Sequence, residues 1–174
     1  SPLPGDVDVD VAIVGGGLTG LWTAWYLAER DPSLTIAVLE KEIAGFGASG
    51  RNGGWLTNSV TGGRARYGRE SGSAQQLALN ESVDEVITVA AREGIEADIV
   101  KGGEFEVARS PAQLARLRAA AAAEREWPHT DVEELDAAAA ASRIAVDGVL
   151  GGIWHPHCAR VHPAKLVSGL AATV

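Results

Sequence analysis

The chain is expected to be an α/β protein built on a parallel β-α-β unit, and three observations carry that expectation. Val9, Val11, Ala12, Ile13 and Val14 form a nearly continuous apolar run, the composition of a strand buried on both faces of a parallel sheet. Gly15-Gly16-Gly17-Leu18-Thr19-Gly20 follows at once, and a helix opens inside it. A second apolar strand, Leu34 to Leu39, closes the unit and ends on an acid, Glu40.

Each part answers a physical demand of holding a dinucleotide. The hexad fits G-x-G-x-x-G: Gly15 permits the tight turn, Gly17 lets the backbone approach a pyrophosphate, and Gly20 lets the helix lie close on the strand. The new helix, beginning with Leu18 and Thr19, aims free N–H groups and a positive dipole end at the phosphates. Its sheet-facing stripe is Leu18, Leu21, Trp22, Trp25 and Ala28, and Asp31-Pro32 stops it. Glu40 lies about twenty residues past the hexad, where a carboxylate accepts hydrogen bonds from ribose hydroxyls, with Lys41 beside it. A carboxylate there disfavours a 2′-phosphate, which leaves FAD or NAD.

The next stretch is unusual for a simple NAD domain. Gly45-Phe46-Gly47-Ala48-Ser49-Gly50-Arg51-Asn52-Gly53-Gly54 is a second glycine-rich loop carrying hydroxyl, guanidinium and amide groups. Ala48 and the glycines leave backbone N–H groups accessible, Ser49 and Asn52 can hydrogen-bond a ribityl chain or phosphate, and Arg51 can pair with an anion.

These residues resemble the FAD-binding N-terminus of the D-amino-acid oxidase-like, or glycine/sarcosine oxidase-like, flavoprotein oxidoreductases. Gly47 to Gly54 is similar to that family's loop beside the flavin, and Arg51-x-Gly53-Gly54 resembles the glycine doublet of the wider flavin amine oxidases. Trp55 stands where that doublet is often followed by a second Arg. The resemblance implies an FAD-dependent oxidation of an amine or amino acid to an imine by hydride transfer to flavin, with reoxidation by oxygen or another acceptor. Family members with a covalent flavin use a His in this loop; Arg51 at that place implies a non-covalent one. By resemblance, Gly15, Gly17 and Gly20 hold the pyrophosphate, Glu40 the adenine-side ribose, and residues 48–54 the ribityl and flavin side. No catalytic residue is implied.

The rest of the chain reads as an α+β substrate or cap domain and a return. Gly62-Gly63-Arg64-Ala65-Arg66 suggests a flexible basic loop, and Leu79, Val83, Val86 and Ala90 mark a helix over 73–93. Residues 98–107 suggest a hairpin or a strand pair with Gly102-Gly103 at the bend. Ser110-Pro111-Ala112-Gln113 has the form of a capping box, and the alanine runs at 119–123 and 137–141 suit helices. A strand over 148–154 and a last helix from Pro163 to Ala172 complete the pattern. The expected division is residues 1–70 for the first FAD-binding segment, 71–150 for a partial substrate domain, and 151–174 for the return segment.

The 174 residues carry a net charge of −8 with no basic stripe, which argues against nucleic acid as a partner. A single cysteine, Cys158, excludes an internal disulfide and fits a reducing, cytoplasmic setting; it reads as a small buried side chain. No apolar run reaches the length of a membrane span. His155, His157 and His162 lack a neighbouring acid or second Cys at metal-ligand spacing, so no metal is expected, and no G-x-S-x-G elbow occurs. A doubly wound sheet needs more strands than the two convincing ones, so the chain is expected to be the N-terminal portion of a protein roughly twice as long. The alternatives are an NAD-dependent dehydrogenase and a non-catalytic nucleotide-binding fragment.

Overall fold

In chain order the elements of the computed structural model are β1 (Val11–Val14), α1 (Leu18–Arg30), β2 (Ile36–Leu39), β3 (Trp55–Thr57), α2 (Arg69–Arg92), β4 (Glu104–Ala108), α3 (Pro111–Arg125), β5 (Glu133–Asp136), α4 (Ala137–Arg143), β6 (Gly151–His155), β7 (Cys158–Arg160) and α5 (Pro163–Thr173). The structure describes Leu3 and residues 5–174. Two compact units emerge: Ser1–Gly54 with Thr88–Ile99 and Val161–Val174, and Trp55–Ile87 with Val100–Arg160.

The first unit holds the β-α-β motif. β1 and β2 pair in parallel, Val11 opposite Ile36 through Val14 opposite Leu39. At the head of the pair Asp10 Oδ2 accepts the Thr35 hydroxyl (2.6 Å) and the Thr35 N–H (2.8 Å). Those bonds, the hydroxyl first, hold the Asp10 carboxyl below the usual carboxylate range. The core lies on one face of this sheet. Leu21 and Trp25 of α1 pack with Val89, Val167 and Leu170, and Val38 and Ile95 border them. Trp25 donates its indole N–H to Glu93 (3.3 Å), while the Arg92 guanidinium lies 4.6 Å over the Trp25 ring and pairs with Glu29.

The expectation that β1 is buried on both faces fails. Its exposure alternates, and Val14 is 87 % exposed. The apolar core described above covers one side of the two-stranded sheet; Ala12 and Val14 point the other way, where β1 has the period-2 alternation of a half-covered strand.

The second unit is antiparallel. β6 is the central strand of a three-stranded sheet, flanked by β4 and β5, and β3 pairs with β7. The hairpin or strand pair expected over 98–107 does not form: Val100 makes one bridge to Arg160, and β4 pairs with β6 far downstream. Gly103 (φ +76°) turns the chain into β4 directly beneath Trp154, whose indole leaves no room for a Cβ there. The loop expected to be flexible and basic is instead a 3₁₀ turn, Arg64–Tyr67, with the Arg64 side chain only 14 % exposed and paired with Glu124. α2 begins at Arg69, ahead of its apolar face. At α3, Ser110 accepts the Gln113 N–H as expected, but the Gln113 side chain reaches back to the Arg109 N–H, one residue earlier than the standard box.

Candidate dinucleotide site

Gly15 takes φ +107°, a region closed to most side chains, and its N–H donates to Leu39 O at 2.7 Å, so the turn is tied to the end of β2. Gly16 then donates its N–H to Glu40 Oε2 (2.8 Å), and Glu42 N–H donates to Oε1 (3.0 Å). These backbone donors, Glu42 first, hold the Glu40 carboxyl below the usual carboxylate range. Glu40 is therefore ionised and fixed in direction, and each oxygen keeps acceptor capacity for a ribose hydroxyl.

Gly17 is the N-cap of α1, and its N–H has no acceptor among the described residues. The next N–H, that of Leu18, donates to Ser49 Oγ at 3.0 Å. A Cβ on Gly20 would stand 2.1 Å from Gly15 O, and one on Gly17 3.0 Å from Ser49 Oγ. A cradle with no room for a side chain at Gly20, little at Gly17 and a spare backbone donor at a helix N-terminus fits a pyrophosphate.

The second glycine loop is anchored to the first. Gly45 donates its N–H to Gly16 O (2.9 Å), which, with the Ser49–Leu18 bond, fixes the 3₁₀ turn Ala48–Gly50 against the start of α1. Asn52 shapes this loop from within: Nδ2 donates to Ala48 O (3.1 Å) and Ser49 O (3.0 Å), and Oδ1 accepts Gly54 N–H (2.9 Å). Arg51 donates to Phe46 O and lies 4.7 Å over the Phe46 ring at the surface. Gly53 faces open space; Gly54 (φ +74°) passes so close to Val161 that a Cβ would meet its carbonyl at 2.0 Å. Lys41 is solvated, 3.8 Å from Glu42.

The structure thus gathers Gly15, Gly17, Leu18, Thr19, Gly20, Glu40, Ala48 and Ser49 at one helix end, with Asn52 and Gly54 supporting the loop and Lys41 and Arg51 at the surface. Sequence reasoning left out Gly16, Gly45 and Phe46. Gly45 carried a signal, being the glycine that opens the second loop; Phe46 carried none. The three histidines separate: His155 lines a cavity of the second unit, His157 Nε2 lies 2.8 Å from Asp131, and His162 Nδ1 accepts the Lys165 N–H at the start of α5. Among the described residues no group of three His, Cys, Asp or Glu side chains could hold a metal ion. Burial pushes the Cys158 thiol up, as for a packed small side chain.

Against known proteins, the pattern of the DAO family, FAD dependent oxidoreductase, matches residues 10–174. The chain belongs to that family. FAD is its cofactor, which decides the choice that Glu40 left open between FAD and NAD. Among curated DAO-type relatives, gamma-glutamylputrescine oxidoreductase of Escherichia coli (strain K12) is 33 % identical over 172 residues, covering 97 % of this chain and 40 % of that protein. The chain therefore spans about 40 % of the length of such relatives. Glycine oxidase from Bacillus cereus ATCC 14579 shares the fold (TM-score 0.68, 20 % identity, 95 % of this chain and 43 % of that one). So does L-amino acid deaminase from Proteus myxofaciens (TM-score 0.72, 19 % identity, 97 % and 37 %). No helix among the described residues is long and apolar enough to cross a membrane.

Proposed function

We propose that the protein is an FAD-dependent oxidoreductase that oxidises an amine or amino acid to an imine. The observation that carries this reading is the Ser49–Leu18 bond, which brings a second loop of backbone donors against the glycine turn at the N-terminus of α1. Gly17 and the first turn of α1 would take the pyrophosphate, Glu40 the adenine-side ribose, and the loop at 48–54 the ribityl and flavin side, without a covalent bond. When bound, FAD supplies the redox chemistry, accepting a hydride from the carbon that bears the substrate nitrogen. The chain's own groups bind and orient: the backbone donors neutralise phosphate charge, and Glu40 fixes the register of the adenosine half. The name of the Escherichia coli relative, an oxidoreductase of gamma-glutamylputrescine, and those of the glycine and L-amino acid enzymes favour an amine or amino-acid substrate.

The test is anaerobic titration of the intact flavoprotein with a panel of amines and amino acids. Bleaching of the flavin band by one of them, reversed by oxygen or an artificial acceptor, is the expected result. A flavin that no member of the panel bleaches would overturn the reading, as would thermal stabilisation by NAD without any by FAD.

A further inference from the structure

The asparagines of the chain are Asn52, Asn58 and Asn80, and Asn52 is the one followed by glycine. A glycine nitrogen has no Cβ beside it to hinder its approach to the preceding side chain. In the structure Asn52 Oδ1 accepts the Gly54 N–H at 2.9 Å, an Asx turn. The ring that this bond closes contains both Asn52 Cγ and the Gly53 nitrogen, so two atoms able to react with each other share one small loop. The Gly53 N–H has no acceptor among the described residues, and Asn52 and Gly53 are both exposed. The Gly54 N–H points at the oxygen on which negative charge gathers when Cγ is attacked, which favours the attack.

The other two asparagines lack this arrangement. Asn80 lies within α2, is 6 % exposed and donates its amide to His129 O (2.8 Å), and the nitrogen that follows it is helical. Asn58 precedes Ser59 and donates to Asn80 Oδ1 (2.7 Å).

We propose that Asn52 is a site of spontaneous deamidation, and that its products no longer hold FAD tightly. The Gly53 nitrogen attacks Asn52 Cγ and forms a C–N bond; the Cγ–Nδ2 bond breaks, and ammonia leaves with the proton from the Gly53 nitrogen. Water then opens the five-membered imide at either carbonyl, leaving aspartate or isoaspartate at position 52. Water is the only co-reactant. Before the change Asn52 Nδ2 donates to Ala48 O (3.1 Å) and Ser49 O (3.0 Å). A carboxylate has no N–H to give, so both carbonyls lose their donor and face a negative oxygen instead. Isoaspartate also lengthens the backbone by one carbon just before Gly54, which has no slack. A Cβ on Gly54 would stand 2.0 Å from Val161 O, and Gly54 O accepts the Val161 N–H at 2.9 Å. The deamidation itself needs no flavin; its effect on FAD rests on the placement of residues 48–54 in the proposed function.

Ageing the intact flavoprotein in mildly alkaline buffer, followed by peptide mass mapping, tests the chemistry. Asn52 is expected to gain the mass of an amide-to-acid change and to become a substrate for isoaspartate methylation, while Asn58 and Asn80 in the same digest stay unchanged. Gly53→Ala should lose most of that gain. Gly53 does not take a positive φ and an added Cβ there would meet nothing within 4 Å, so the variant keeps the loop while hindering the attack. An unmodified Asn52, or equal modification in Gly53→Ala, would overturn the site. Separating the aged sample into flavin-bound and flavin-free protein tests the consequence: the modified form should collect in the flavin-free fraction, and Asn52→Asp should bind FAD about tenfold more weakly. Equal modification in the two fractions would overturn that half of the proposal even where Asn52→Asp fails to fold. None of these outcomes depends on which amine bleaches the flavin, so they stand or fall apart from the oxidase reading.

Discussion

Ser49 Oγ accepts the backbone N–H of Leu18 at 3.0 Å across a separation of 31 residues, and through it the second glycine loop caps the helix that the first one opens. α1 has no side-chain cap of its own, because its N-cap is Gly17. Ser49 thus does from a distance what an N-cap serine does locally: it satisfies one of the four N–H groups that every helix start leaves open. Ser49→Ala removes that acceptor and frees the loop. Loss of one such bond costs about 0.5–1.5 kcal/mol, so FAD binding to the intact protein should weaken about two- to tenfold, measured by fluorescence titration of the apoprotein. Unchanged affinity would mean that the loop is held by Gly45 and Asn52 alone.

Two glycines of the hexad should behave differently on substitution by Ala. At Gly20 a Cβ would stand 2.1 Å from Gly15 O, a backbone atom that cannot move without opening the turn. Gly20→Ala should therefore abolish FAD binding and lower the melting temperature. At Gly17 the obstacle is Ser49 Oγ at 3.0 Å, a hydroxyl that can swing away, but only by releasing Leu18. Gly17→Ala should thus reproduce the Ser49→Ala defect and add little to it in the double variant. Full additivity of the two in FAD affinity would refute that coupling.

How much of this was legible follows from where each constraint comes from. Gly15, Gly20 and Glu40 answer to demands that lie within one β-α-β unit, so spacing alone located them. Ser49 was legible as a polar residue in a glycine loop, but its partner was not, because nothing in local sequence ties position 49 to position 18. The same limit explains the mistaken hairpin: Gly102-Gly103 looks like a bend between two neighbouring strands, whereas β4 finds its partner in β6. The basic loop at 62–66 looked flexible because the groups that hold Arg64, Gln76 and Glu124, come from α2 and α3. The exposed face of β1 was invisible for the opposite reason, since apolar composition records what a strand can bury and not what covers it.

Glu104 lines a cavity of the second unit, and its half-buried carboxylate bears on stability. Glu104 has its pKa raised in the folded state, chiefly by burial and then by Glu106. The folded protein therefore holds the proton more tightly than the unfolded chain does. The destabilisation is absent below the ordinary value of 4.5 and grows as pH rises through the window above it, so acidification toward that window relieves it. Urea midpoints for the wild type and Glu104→Gln should diverge accordingly: the variant is the more stable at pH 7, and the gap closes toward pH 4.5. The two proteins share every other carboxylate, so the difference reads Glu104 together with its coupling to Glu106. A variant no more stable than wild type at pH 7 would show that the carboxylate is adequately solvated.

Gly45 offers the strictest check on the anchoring of the second loop. Its φ is +75°, a Cβ there would lie 2.2 Å from Val167 Cγ1 on α5, and its N–H holds Gly16 O at 2.9 Å. Gly45→Ala meets two separate penalties, a strained backbone and a collision with a buried side chain. Val167→Ala removes only the second, at the cost of a cavity beside Leu170 worth about 0.5–3 kcal/mol. The double variant should therefore be less destabilised than the sum of the two singles, yet stay below Val167→Ala alone by the strain of about 1 kcal/mol or more that remains. Chemical denaturation of the four proteins reads this as a coupling energy. Strict additivity would mean that Val167 is not what meets the new methyl, and full rescue would mean that the left-handed backbone at position 45 is not needed to bring the loop against Gly16.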